Sequence, residues 1–190
     1  MITLRYGKEY RMDLETLPDG KKKQKMVYVG PLYDYVDTLG EHKRQRRLLL
    51  MIAILSAILF ISGFSFYSNL SRVWFSAIPY ASNALVIYLL LESIGYFWKY
   101  GENLNRESKQ RGGDRLKSLA IISAALYCLS LTGSFAATIS SYIEEVTKFD
   151  YIYIIITVFN LAVMLVLFLI ARPIRYIEKE NPAAKEWENK

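Results

Sequence analysis

The chain has 190 residues, of which 53% are hydrophobic and 22% are charged, and it carries a formal net charge of +6. Four windows, at residues 48–71, 73–98, 118–143 and 151–171, contain between them one Asp, Glu, Lys or Arg, which is Glu92. Each window reaches the roughly 20 residues that cross about 30 Å of hydrocarbon, and none shows the polar stripe of a soluble amphipathic helix. The composition therefore excludes an ordinary soluble domain and predicts four transmembrane helices.

Residues 1–47 are predicted to form an amino-terminal arm. Two β-forming runs, at residues 2–6 and 26–29, are separated by turn-forming residues at 17–20. The lysines within residues 21–25 are expected in a solvated turn. This pattern favours a small β-ribbon that lies against the face of the membrane.

Three tyrosines of the arm, Tyr28, Tyr33 and Tyr35, flank a break at Gly30 and Pro31. Exposed aromatic side chains often form docking surfaces for a partner, because they bury a large area at a low cost in conformational entropy. The alternative is that these rings lie at the lipid headgroups or against the loop between the second and third spans. The sequence leaves both interpretations open.

Four basic residues, Lys43, Arg44, Arg46 and Arg47, directly precede the first span. Basic side chains at this position attract anionic lipid, by about 1 kcal/mol for each charge close to the surface. We therefore expect them to contact lipid headgroups. No nucleic acid is expected as a partner, because the distribution of the positive charge follows membrane topology: nearly all basic residues lie in the segments on one side of the membrane.

The spans are predicted at about 48–69, 75–98, 117–140 and 151–172. The predicted fold class is thus an all-α integral membrane protein built from two helical hairpins, with a short, partly extended amino-terminal arm. Small residues spaced four apart in the first and third spans are expected to face the interior of the bundle, where they allow helices to approach closely. These residues are Ala53, Ala57, Ala120, Ala124, Ser130 and Ser134.

The two hairpins resemble each other in sequence. Residues 53–60 of the first span align with residues 120–127 of the third, and the second and fourth spans each carry one asparagine, Asn83 and Asn160. A duplicated hairpin would relate the two halves by an axis along the membrane normal. The alternative is chance similarity between apolar helices.

Glu92 is a functional candidate because an intramembrane carboxylate is costly to bury. It precedes Trp98 by six residues, or about 9 Å along a helix axis, which is a depth that Arg172 can reach to form a structural pair. Coupling to an ion or proton and snorkelling toward the interface are the alternatives. Asn83 and Asn160 are expected to face inward, either as hydrogen-bonded packing residues or as residues that line a pathway.

The carboxy-terminal tail comprises residues 172–190, and its residues 174–190 alternate acids and bases and are expected to extend the fourth span as a short polar helix. Of the 24 basic residues, 22 lie in the arm, the second loop and this tail, which share one side of the membrane if there are four spans. The positive-inside rule places that side in the cytoplasm. We therefore expect a multi-pass protein of the plasma or inner cell membrane, with both termini in the cytoplasm.

Patterns for catalysis and metal binding are sparse. His42 is the single histidine, the single cysteine is Cys128 within the third span, and residues 111–114 form a predicted turn that lacks the Lys-Ser/Thr of a phosphate loop. We therefore expect no enzyme activity, no metal site and no cofactor.

Two functions remain. The first is a non-catalytic subunit that binds another membrane protein, in a transport or signalling complex, through its spans and its arm. The alternative is a small homo-oligomeric transporter or channel that uses Glu92, Asn83 and Asn160.

Overall fold

The computed structural model describes residues 9–16, 22–36, 39–99, 103–140 and 145–188. A 3-10 turn, Leu70–Arg72, precedes the second long helix, and a π-helical turn, Gln110–Asp114, lies before the third. In chain order the elements are β1 (Tyr10–Thr16), β2 (Lys22–Tyr28), β3 (Leu32–Tyr35), α1 (Leu39–Ser65), α2 (Trp74–Lys99), α3 (Arg106–Lys109), α4 (Arg115–Ile139), α5 (Lys148–Ala171), β4 (Tyr176–Lys179) and α6 (Pro182–Glu188).

Four helices are long and apolar enough to cross a membrane, as the composition predicts. Two of them begin well before their apolar part. α1 starts at Leu39, so the basic run at residues 43–47 lies on helix, and α3, the π turn and α4 form one helix from Arg106 to Ile139. The predicted turn at residues 111–114 is therefore wrong. Gly112 and Gly113 are buried in this helical segment, and Gly112 packs against the backbone of Phe97.

The four long helices form an up-down-up-down bundle. α1, α2, α4 and α5 contact one another in that order around a ring, which α5 closes by packing on α1. The predicted inward faces are confirmed, since Ala53, Ala120, Ser130 and Ser134 are buried, and Ala57 and Ala124 pack against the core.

The bundle has two distinct ends. The end at which α1 begins and α5 ends carries β3 and β4, and we call it the terminal end. The opposite end carries the connections around residues 66–73 and 145–147, and we call it the loop end.

The amino-terminal arm contains the predicted ribbon, in which β1 pairs with β2 in antiparallel register, Tyr10 opposite Tyr28. The expected strand at residues 2–6 and the turn at 17–20 lie outside the described residues. Of the lysines expected in a solvated turn, Lys22, Lys23 and Lys25 lie instead on β2, and the side chains of Lys23 and Lys25 are exposed.

A second small sheet closes the terminal end, because β3 pairs with β4 and thereby joins the two halves of the chain. The prediction that the tail extends the fourth span is wrong. Pro173 supplies no backbone N–H to continue the helical hydrogen bonds, so α5 ends at Ala171, and Arg172 is the capping residue. The chain then turns, and Ile174 is buried against the bundle.

The helices α2 and α4 approach most closely at Gly133. A β-carbon at this position would lie 2.6 Å from the carbonyl oxygen of Phe75 and 3.1 Å from the α-carbon of Ser76. Both atoms belong to backbone, so neither can move without displacing α2.

Gly133→Ala should therefore destabilise the bundle by about 1–3 kcal/mol, the usual cost of overpacking. Gly95→Ala is the matched control, because no atom lies within 4 Å of a β-carbon there. The midpoint of thermal unfolding in mild detergent should fall for the first variant and stay or rise for the second. Equal shifts would show that the close approach at Gly133 is not a constraint.

Candidate functional site

The intramembrane carboxylate Glu92 pairs with a residue that the sequence analysis did not select. Its Oε2 lies 3.1 Å from Nη1 of Arg115, and both side chains are 33% exposed. The expected partner, Arg172, instead follows the last residue of α5 and is exposed. The pairing with Arg172 is thus wrong, because α5 packs on α1 and α4, whereas Arg115 lies on α4, which is adjacent to α2.

The pair lies at the terminal end of the spans. Arg115 begins α4, and the 24 residues from there to Ile139 rise about 36 Å, which exceeds the thickness of a hydrocarbon core. One turn further out, Nη1 of Arg111 donates to the hydroxyl of Tyr96 over 3.0 Å. Glu92 therefore belongs to a short polar ladder between α2 and α4 and not to the apolar centre.

The two asparagines lie in the interior, and each bonds to a serine of the other hairpin. Ser123 donates to Oδ1 of Asn83 over 2.6 Å, and Ser56 donates to Oδ1 of Asn160 over 3.3 Å. All four side chains are fully buried. The amide nitrogens donate within their own helices, to the carbonyl oxygens of Pro79 and Ile156.

These crossed pairs bear on the resemblance between the hairpins. Ser56 and Ser123 occupy equivalent positions in the two aligned segments. Ser56 of the first hairpin bonds to Asn160 of the second, and Ser123 of the second bonds to Asn83 of the first. A two-fold axis along the bundle would exchange one pair for the other. The arrangement favours duplication over chance.

Glu92 does not converge with the asparagines on one path. It follows Asn83 by nine residues, or about 13 Å along α2, and it bonds to α4 at the terminal end. The three predicted polar residues therefore occupy separate contacts.

Sequence reasoning missed a cluster of buried hydroxyl groups nearer the loop end. Oγ of Ser76 lies 2.8 Å from Oγ of Ser134, and Oγ of Ser130 lies 3.2 Å from the hydroxyl of Tyr153. The cluster joins α2, α4 and α5. The four-residue spacing of Ser130 and Ser134 indicated the face, but not the partners on other helices.

A second missed residue is Asp150, whose side chain is fully buried at the loop end of α5. Its Oδ1 accepts from Oγ of Ser68 at 2.7 Å and from the backbone N–H of Leu70 at 3.0 Å. Its Oδ2 accepts from both N and Oγ1 of Thr147. Four donors suit an ionised carboxylate, so Asp150 ties the first connection of the loop end to the second.

The tyrosines of the arm lie against the loop between α2 and α4. The hydroxyl of Tyr28 is 3.0 Å from Oε2 of Glu9 and accepts from the backbone N–H of Arg106 at 3.1 Å. Burial raises the pKa of Tyr28. The backbone of Tyr33 exchanges two hydrogen bonds with Leu104, each 2.8 Å long.

The remaining tyrosine, Tyr35, packs on the beginning of the bundle. Its ring lies 4.6 Å from the ring of His42 and 5.9 Å from that of Phe97, measured between centroids, and its hydroxyl donates to Gln45. The contacts of all three tyrosines favour the interpretation that they pack against the loop between α2 and α4 and the nearby helix ends over the interpretation that they form a free docking surface.

The strand β3 also contributes a carboxylate to this end. Oδ1 of Asp34 accepts from the backbone N–H of Asn103 at 2.8 Å, and Oδ2 lies 3.3 Å from Nζ of Lys179. The N–H of Asn103 and, more weakly, Lys179 hold the pKa of Asp34 below its usual value, against a smaller opposing effect of burial. This carboxylate links β3, β4 and the connection to α3.

The basic run divides into two groups. Lys43, Arg44 and Arg47 are exposed. Arg46 instead donates from Nη1 to the carbonyl oxygen of Trp98 at 2.5 Å, and its guanidinium lies 4.9 Å from the centre of that indole. Arg46 therefore caps the carboxy-terminal end of α2, where a cation is favoured.

Among the described residues, no group of three or more His, Cys, Asp and Glu side chains could hold a metal ion. Comparison with known proteins finds no matching family model, no matching curated protein and no matching solved structure. The fold by itself defines a multi-pass helical membrane protein.

The Glu92–Arg115 pair yields a prediction for a double-mutant cycle. Glu92→Gln and Arg115→Gln should each lower the free energy of unfolding, with a coupling of about 0.5–1 kcal/mol, because both groups are partly solvated. Arg172→Gln, tested with Glu92→Gln, should show no coupling. The free energies of unfolding of the single and double variants are measured in detergent. A coupling energy between Glu92 and Arg172 equal to that between Glu92 and Arg115 would contradict the observed pairing.

Proposed function

We propose that this protein is a non-catalytic membrane subunit that binds another membrane protein through one face of α4. The observation that carries the proposal is a repeat of small residues on the exposed side of that helix. Ser118, Ala125 and Thr132 are all exposed and lie seven residues apart. Residues at this spacing form one continuous stripe along a helix.

Small residues on an exposed stripe suit contact with another helix. Association within lipid depends on close packing of backbones, because lipid tails are as apolar as the side chains that they cover. Cys128 and Ala136 are also small and exposed beside the stripe. The hydroxyl of Thr132 donates to the carbonyl oxygen of Cys128 at 2.9 Å, so it adds no unbonded polar group to such a contact.

The helices α1 and α5 expose fewer small residues than α4, although the exposed side of α4 also carries Ile121, Ile122, Leu129 and Phe135. On α1 and α5 large aliphatic or aromatic side chains predominate, which suits lipid. On α1 they are Met51, Ile54, Leu55, Ile58 and Ile61, and on α5 they are Ile155, Val158, Phe159, Leu165 and Leu169.

The interior gives less support to a homo-oligomeric transporter. Asn83 and Asn160 are buried in separate hydrogen-bonded pairs, and Glu92 is neutralised by Arg115. A subunit with a bonded interior and one small-residue face fits partner binding better. A second copy of the chain is the other partner that the same stripe could accept.

The orientation that accompanies this proposal has the terminal end in the cytoplasm. By sequence, the arm, the second loop and the tail share that side of four spans and contain 22 of the 24 basic residues, and the positive-inside rule supports the assignment. The protein would then lie in the plasma or inner cell membrane, with Lys43, Arg44 and Arg47 at an anionic leaflet.

Filling the stripe should release the partner. We expect Ala125→Leu combined with Thr132→Leu to abolish recovery of partner proteins with the tagged full-length chain from native membranes in mild detergent. The thermal unfolding midpoint of the purified bundle should not change, because both side chains point outward. Ala162→Leu, on the exposed side of α5, is the matched control and should retain the partner.

Three outcomes are informative. Loss of a specific co-purifying membrane protein in the double variant alone supports the proposal. Recovery of the chain with itself only, lost in the same variant, assigns the stripe to a contact between copies. Unchanged recovery from the double variant would refute a role for this face.

Accessibility of introduced cysteines tests the orientation. In a Cys128→Ser background, Lys148→Cys at the loop end should react with a membrane-impermeant maleimide on intact cells. Lys185→Cys at the terminal end should react only after permeabilisation, because its side is expected to be cytoplasmic. The reverse pattern of labelling would contradict the assignment.

A further inference from the structure

Among the described residues, the ribbon of β1 and β2 is a sheet of two strands. The backbone N–H of Val29 donates to the carbonyl oxygen of Glu9 at 2.8 Å, so the polar groups of Val29 point toward the neighbouring strand. In an antiparallel pair this direction alternates from residue to residue. The N–H and C=O groups of Gln24, Met26 and Tyr28 therefore point away from β1, to the outer edge of β2.

One end of this outer edge already accepts a hydrogen bond from outside the ribbon. Nδ2 of Asn181 donates to the carbonyl oxygen of Tyr28 at 2.8 Å, in agreement with the outward direction of that group. In the described part of the chain, no backbone hydrogen bond joins Gln24 or Met26 to a segment outside the ribbon. The side chains of residues 23–26 are all exposed. This stretch of the edge is therefore open to a further strand.

The exposed side chains of the edge form one apolar and one basic face. Met26 is 53% exposed, and Met12, which lies opposite it in the register, is 63% exposed. Lys23 and Lys25 are exposed on the other face, because successive side chains of a strand point to opposite faces. A strand that joins the edge would meet methionine on one face and lysine on the other.

The strand β1 shows which sequence β2 accepts as a neighbour. Asp13 lies opposite Lys25, and Glu15 lies opposite Lys23. Opposite charges at facing positions stabilise a pair of strands, whereas like charges destabilise it. A neighbour on the other edge of β2 should follow the same pattern, with acidic side chains beside the lysines and an apolar side chain beside Met26.

A second copy of the ribbon fits this edge less well. Pairing β2 with β2 of another copy would place lysines beside lysines, and edge lysines are one means by which natural strands avoid such pairing. Pairing β2 with β1 of another copy would leave an open edge on each side, so the contact would continue into a filament. An acidic segment of a different protein meets neither objection.

We propose that the outer edge of β2 binds an extended acidic segment of a partner protein, which joins the ribbon as a third strand. Its acidic side chains lie beside Lys23 and Lys25, and an apolar side chain lies beside Met26. An isolated ribbon of two strands is marginally stable, and a third strand stabilises it. Recognition of this kind takes affinity from backbone hydrogen bonds and specificity from alternate side chains. The inference goes beyond the partner-binding stripe of α4 and does not depend on it.

The test uses the purified full-length chain in mild detergent and a fluorescent peptide in which glutamate alternates with valine. Fluorescence anisotropy should show that it binds about tenfold more tightly than a peptide with lysine in place of glutamate, because like charges oppose pairing. Two further peptides carry methyl groups on the valine nitrogens or on the glutamate nitrogens. At least one of them should lose binding, since alternate N–H groups of an added strand point to β2. Full binding by both would overturn strand addition.

A proline variant separates backbone pairing from charge. Met26→Pro removes an outward N–H and should leave the bonds to β1 intact, because proline is tolerated in an edge strand where its nitrogen faces away from the neighbouring strand. It should abolish binding of the glutamate peptide, and Gln24→Pro serves if Met26→Pro does not fold. Unchanged binding by a folded proline variant would overturn the proposal.

Charge is tested with a pair of double variants. Lys23→Gln combined with Lys25→Gln should weaken the glutamate peptide about tenfold, as expected when two facing charge pairs are lost. Lys43→Gln combined with Arg44→Gln removes two exposed charges of α1 and is the matched control, which should bind the peptide fully. Equal weakening in both variants would reduce the effect to net charge and overturn the proposed site.

Two other occupants of the edge are distinguished by amide hydrogen exchange of β2 in nanodiscs without peptide. Exchange should be the same in phosphatidylglycerol and phosphatidylcholine, and protection by phosphatidylglycerol alone would assign the edge to the lipid surface. A dimer in detergent that Met26→Pro dissociates would assign the edge to a second copy. Either result would overturn the proposal.

Failure of this proposal is distinguishable from failure of the proposed function. The variant that combines Ala125→Leu with Thr132→Leu fills the stripe of α4 and should bind the glutamate peptide fully. Loss of a co-purifying partner in that variant therefore concerns α4 alone, whereas loss of peptide binding in Met26→Pro concerns the edge of β2.

Discussion

The architecture depends on one interaction, which is the hydrogen bonding of buried asparagine side chains to serines of the other hairpin. An unbonded amide in hydrocarbon is costly, and lipid offers it no substitute partner. The pairs Asn83–Ser123 and Asn160–Ser56 meet this demand across the boundary between the hairpins. They determine which helices are neighbours, in a setting where hydrophobic exclusion contributes little to helix association.

The same demand shapes the two ends of the bundle. At the loop end, Asp150 gathers four donors and ties the two connections together. At the terminal end, α1 and the helix that begins at Arg106 extend beyond the spans, and the sheet of β3 and β4 packs between them. Charged groups at this end form contacts between helices. Glu92 pairs with Arg115, and Arg46 bonds to the end of α2.

With the interior bonded in this way, functional differences lie on the outer surfaces. The exposed sides of α1 and α5 are bulky and suit lipid, whereas α4 presents small residues among its exposed large side chains. The crossed serine–asparagine pairs suggest that both hairpins descend from one unit.

The sequence by itself determined the number of long apolar helices, their approximate bounds and the inward direction of Asn83 and Asn160, because hydrophobic length and the cost of burial are local properties. It did not determine the partner of Glu92, which is Arg115 and not Arg172, since pairing depends on which helices are adjacent. Only the tertiary structure revealed that the tail returns to pair with β3. That contact joins segments more than a hundred residues apart, and no periodicity in either segment encodes it.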